Sequence, residues 1–107
     1  MSQTYAVDQE KWARLSIFEQ MGNIYSEVGR SLAANRSHDQ ERTEAAKLRA
    51  IDLFGATAQA LANQSSPKLK ELLRAKEQYL EVLDTNSSSA GIDRYFMQFA
   101  LAARLNR

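Results

Sequence analysis

Glu19, Asn23, Glu27 and Arg30 recur at helical spacing, so one helix would turn two carboxylates, an amide and a guanidinium toward the same side. Carboxylates two turns apart suit general acid and base work or a share in a metal site. A carboxylate-bridged metal bundle also needs a histidine one turn from a glutamate inside the core, repeated on a second helix, and the sequence has no such repeat. Its only histidine, His38, stands beside Asp39, Glu41 and Glu44. Acidic side chains at a helix start favour the helix dipole, which explains that cluster without a metal. The polar face therefore reads as a solvated one. No catalytic, metal or cofactor-binding residue is assigned, no cofactor is expected, and the expectation is a protein that is not an enzyme.

Lys76 interrupts an otherwise apolar stripe near its centre. An ammonium among apolar neighbours must pair, drop its pKa or reach water along its methylenes. A structural ion pair with an acid such as Glu27, or snorkelling, is the preferred reading; the alternative makes Lys76 an anchor for an anionic ligand or a partner's carboxylate. Gly22 and Gly29 lie one heptad apart in a stripe with Ser26 and Ala33. Each glycine costs a helix roughly 1 kcal/mol relative to alanine, so close approach of another helix is expected to compensate, with ligand access to bare backbone as the rarer explanation. A basic set, Lys68, Lys70, Arg74, Arg94, Arg104 and Arg107, completes the candidates and reads as solubilising charge.

These side chains need helices to position them. Ile17, Phe18, Met21, Ile24, Tyr25, Val28 and Leu32 form one apolar arc at about 100° per residue, predicting a helix over 16–35. Ser16 and Glu19 fit a capping box at its start. A break near Leu15 keeps Trp12 off the polar face, and the segment 8–14 becomes a short arm. Trp12 is expected to fold back against the bundle, with an exposed anchor for a partner as the alternative. Ser37 and Gln40 offer a second capping box, opening a helix over 38–63 whose apolar arc holds Leu48, Ile51, Phe54, Ala58 and Leu61. Ser66 and Pro67 open a third over 67–84, with Leu69, Leu72, Leu73, Tyr79, Leu80 and Leu83 inward. The serine-rich run 85–91 reads as a mobile loop. In the last helix, 92–105, Ile92, Tyr95, Phe96, Phe99, Ala102 and Ala103 share one side while Met97, Leu101 and Leu105 fall on the other. That second apolar face hints at a subunit contact.

The totals agree with a folded domain. A chain of 107 residues, 44% hydrophobic and 25% charged, is a single domain near the globular average. Net charge is +1, from 14 basic and 13 acidic residues, which gives no long-range pull on polyanions. No apolar run approaches the roughly 18 residues of a membrane span. The start lacks the apolar segment of a secretory signal, and cysteine is absent, so a cytoplasmic location is expected.

Three phrases, Trp12 to Gln20 (WARLSIFEQ), Lys70 to Glu77 (KELLRAKE) and Tyr95 to Arg104 (YFMQFALAAR), resemble an uncharacterised family of small all-helical prokaryotic proteins. The resemblance covers nearly the whole chain and implies a compact cytoplasmic domain, with no activity attached. The expectation is thus an all-α, antiparallel (up-down) four-helix bundle with a short N-terminal arm. Its expected role is a non-enzymatic protein interaction or regulatory module and a homodimer. Met97, Leu101 and Leu105 would form the interface, joined by Trp12, Gly22 and Gly29. The alternative is a nucleic-acid-associated accessory protein using the basic C-terminal half.

Overall fold

The computed structural model describes residues 7–105, and every regular element among them is an α-helix. In chain order they are α1 (Gln9–Arg14), α2 (Ile17–Arg36), α3 (Gln40–Asn63), α4 (Lys68–Thr85) and α5 (Ala90–Leu105). Five helices stand where four and an arm are expected, because the arm closes a helix of its own. The Asp8 carboxylate accepts from the Lys11 amide at 3.2 Å, and Leu15 leaves the helix in an extended conformation. Ser16 then restarts the chain with the expected capping box: its hydroxyl accepts from the Glu19 amide and the Glu19 carboxylate accepts from the Ser16 amide, both at 3.1 Å.

Three helix starts and one loop shift from expectation. The cap of α3 is Asp39, whose carboxylate accepts from the Arg42 amide at 3.1 Å, and His38 turns the chain with φ of 59°. An aspartate two residues past Ser37 competes for the same role, and it wins once His38 takes the left-handed conformation. Helix α4 begins one residue after Pro67, with Ser66 Oγ accepting from the Lys68 amide at 3.2 Å. Asn86 ends it in the left-handed region, φ 53°. Helix α5 starts two residues early, because Ser88 Oγ accepts from the Ala90 amide at 3.2 Å and the Asp93 amide donates to Ser89 O at 2.9 Å. The expected loop 85–91 shrinks to 86–89.

The core gathers where the apolar arcs meet. Met21, Ile24, Val28 and Leu32 of α2 are buried with Leu53, Phe54 and Leu61 of α3, Leu72 and Tyr79 of α4, and Ile92, Phe96 and Phe99 of α5. Aromatic rings tie four helices together: Tyr25 stacks on Phe96 with centroids 5.0 Å apart, and Phe54 reaches both Phe96 at 6.2 Å and Tyr79 at 6.0 Å. Such pairs add about 0.5–1.5 kcal/mol each to their area burial. Leu48 and Leu73 depart from the expected core. They are 53% and 44% exposed, lying at the edges of their arcs, while Ala75 and Val82 take the buried positions on α4. Helix α2 packs most extensively on α3, and α5 lies against α2 and α4.

Trp12 is buried, and its indole Nε1 donates to Thr57 Oγ1 at 2.8 Å. Gln20 Nε2 donates to the carbonyl oxygens of Trp12 at 2.9 Å and Leu15 at 3.2 Å, and Gln9 Nε2 to that of Ala56 at 3.0 Å. These bonds fasten α1 to α2 and α3. Among the described residues no helix is long and apolar enough to cross a membrane.

Candidate functional site

Helix α5 is held by its first turn. The Tyr25 hydroxyl donates to Asp93 Oδ1 at 2.8 Å, and Ser89 Oγ donates to Asp93 Oδ2 at 3.0 Å. Burial, then the hydrogen bond and charge of Asp93, raises the Tyr25 pKa. Gly91 sits close to α4, where an added Cβ would meet Gln78 Nε2 at 2.8 Å. With Ile92, Phe96 and Phe99 turned inward, the other side of α5 is left to solvent. Met97, Leu101 and Leu105 are 53%, 56% and 85% exposed, and they succeed one another at four-residue intervals along about 12 Å of helix. Arg94 lies one turn before Met97 and Arg104 beside Leu101; both are exposed. The acid of this helix, Asp93, is engaged with Tyr25 and Ser89, so the outer face is apolar with a basic rim.

Of the other expected interface residues, Trp12 faces inward and cannot anchor a partner without undocking α1. Gly22 and Gly29 are exposed, and a Cβ added to either meets no atom within 4 Å. The expected close approach of a helix to the stripe is therefore not made among the described residues.

The expected pair of Lys76 with Glu27 gives way to a different arrangement. Glu27 is buried between α2 and α3, where Arg30 Nη1 bonds one carboxylate oxygen and Arg49 Nε the other. Arg30 is one turn ahead on the same helix, and Arg49 reaches across from α3, so Glu27 is satisfied before any residue of α4 is needed. None of the salt bridges among the described residues involves Lys76, which is half-buried on α4. Glu19 and Asn23 remain exposed, and Asn23 Nδ2 donates to Glu19 O at 2.8 Å. The four polar residues of α2 thus do not act as one face.

Beside this cluster runs an open groove of about 580 Å³, lined by Arg30, Arg42 and Arg49 together with Ala33, Ala34, Ala45 and Ala46. Asp39 also lines it and bridges Arg42 at 3.5 Å. A smaller recess of about 290 Å³ adjoins it, with Glu27, Arg30, Arg49 and Asn23 in its walls. The two arginines therefore stand between the recesses. Sequence reasoning missed this site because Arg49 stands on a different helix from Glu27; the only signal is Glu27 and Arg30 one turn apart.

Two further groups are perturbed without forming a site. Burial pushes the Tyr79 hydroxyl up to about 12; it lies 2.6 Å from Ser31 Oγ, which donates to Val28 O. Burial likewise lifts Tyr95 to about 12, with Glu71 adding to it. Among the described residues no group of three or more histidine, aspartate or glutamate side chains is placed to hold a metal. Lys68, Lys70 and Arg74 lie exposed among Glu71, Glu77 and Glu81 on α4, so charge there is mixed; Arg107 is outside the described residues. No protein-family model, no curated protein and no solved structure matches this chain.

Proposed function

We propose that the protein is a non-enzymatic interaction module, whose outer α5 face docks an amphipathic helix of another protein. The observation that carries this reading is the exposed ridge of Met97, Leu101 and Leu105 with Arg94 and Arg104 at its rim. Such spacing matches helix-in-groove recognition, in which apolar anchors recur at every turn or so. The basic rim defines the partner's chemistry: acidic residues flanking its apolar stripe. Pairing two copies through the same face, the homodimer arrangement, would set arginines against arginines with no free acid of α5 to offset them. Covering the three side chains contributes about 3–6 kcal/mol at their observed exposures, against an association cost of about 4–15 kcal/mol. The acids opposite Arg94 and Arg104 must supply part of the remainder, and the complex should be short-lived and salt-sensitive.

In this reading α2 to α5 run up and down as neighbours. The short connection 37–39 supports that arrangement for α2 and α3, since it favours antiparallel packing.

A photo-crosslinking residue in place of Gln98, which is exposed beside the ridge, tests the proposal in the native cell. The expected result is an adduct with an acidic, apolar-striped helix of a second protein. It should be lost in the variant Met97→Asp/Leu101→Asp and reduced at high salt. An adduct of the chain with itself, matched by a dimer in sedimentation, would replace the reading with self-association, and no adduct at all would overturn it.

A further inference from the structure

We infer that the groove between α2 and α3 binds a small organic carboxylate, its charged end on Arg30 and Arg49 and its apolar body along the alanines. The buried Glu27 carboxylate takes one N–H from each of the two guanidiniums. No other hydrogen bond among the described residues uses their remaining N–H groups. A guanidinium carries five donors in a fixed fork, so each arginine keeps donors for an incoming anion while Glu27 holds its position. Arg30 and Arg49 come from different helices and line both adjoining recesses, so an anion between them touches both sides of the groove.

The charge of the walls selects the anion. Three arginines, Arg30, Arg42 and Arg49, face two carboxylates, Glu27 and Asp39, which leaves one positive charge for a monoanion to neutralise. Paired guanidiniums suit a carboxylate in bidentate geometry. The lining selects the body. Alanine side chains, which offer no hydrogen bonds, supply four of the nine lining residues, with Ser37 the one neutral polar side chain among them, so polar ligand atoms lying against the alanines would have no partner there. A volume of about 580 Å³ lies within the range of small-molecule sites, and an inorganic ion would leave most of it unused.

The test uses the full chain and 1-naphthoate as probe, with neutral 1-naphthalenemethanol and inorganic phosphate as controls, followed by amide and arginine side-chain NMR. Saturable shifts are expected at Ala33, Ala45 and the side chains of Arg30 and Arg49 with naphthoate alone. Arg49→Lys keeps a cation beside Glu27 but removes the fork, and should weaken binding about tenfold. Arg42→Gln leaves the Glu27 cluster untouched, so it decides the matter if Arg49→Lys fails to fold; about threefold weakening is expected. The inference is overturned by absence of those shifts at millimolar naphthoate, by equal shifts from either control, or by unchanged affinity in whichever variants fold.

Discussion

Helix α2 hides polar side chains that its sequence pattern turns to water, whereas α5 shows water apolar side chains that an enclosed helix would hide. On α2, Gln20 and Glu27 are 3% and 6% exposed, and each is satisfied by groups from a neighbouring element: the carbonyls that end α1, and Arg49 of α3. On α5, Met97, Leu101 and Leu105 have no element of the described chain over them. A polar position is buried where the chain itself supplies the partner, and an apolar one stays exposed where the chain supplies none. Departures of the first kind build the fold, and those of the second kind point outward to a different molecule.

The largest expected effect comes from removing the partners that let α2 bury a charge. Arg30→Met with Arg49→Met keeps most of the bulk and leaves Glu27 without a counter-charge. Urea unfolding should show a loss of about 3 kcal/mol, the low end for an uncompensated buried charge because Arg30 itself is 67% exposed. A loss below about 0.5 kcal/mol, the scale of ordinary surface substitutions, would dissolve the distinction between the two helices.

Next in size is Trp12→Phe. It strips the indole donor and leaves Thr57 Oγ1 unpaired in the core, at a cost of about 2 kcal/mol. Were Trp12 a surface anchor, stability would not change.

Tyr79→Phe sharpens the comparison with a smaller effect, about 1 kcal/mol at neutral pH, because Ser31 keeps its bond to Val28 O. Its pH dependence is more telling. An unfolded tyrosine ionises near its ordinary value of about 10, while burial holds Tyr79 protonated to about 12 in the fold. Between those values the unfolded chain has released a proton that the native state retains. The contribution is therefore complete below pH 10 and is lost as pH rises toward 12. Tyr95 follows the same course, so Tyr79→Phe should remove one part of the alkaline destabilisation and leave another. Unfolding curves flat across this window would show both phenols hydrated.

The smallest effect belongs to α5. Replacing Met97, Leu101 and Leu105 together with glutamine should move stability by no more than about 0.5 kcal/mol, as for ordinary surface positions. A fall of several times that size would make the ridge part of the fold and remove its claim to be a docking face.

Local signals were legible in the sequence where one residue and its near neighbour settle the matter. The Ser16 capping box, the break at Leu15 and the two-sided last helix follow from spacing alone, as does most of the core. What the sequence concealed depends on residues distant in the chain. Glu27 pairs with Arg49 across helices, Gln20 caps a helix that periodicity alone leaves as an arm, and Asp39 displaces Ser37 because of a backbone turn at His38. Leu48 and Leu73 sit at arc edges, where a small rotation of the helix decides between core and solvent. The arginine groove was unreadable for the same reason: its walls come from two helices, and periodicity describes one at a time.

The chain has a single tryptophan, and its ring nitrogen is sealed against a threonine of the third helix. That makes the protein its own fluorimeter. Emission excited at the indole band comes from one address, so a red shift would announce that the N-terminal helix has lifted away, with no label attached. Any compound or partner that loosens or tightens this clasp can thus be followed by light, in the untagged native molecule.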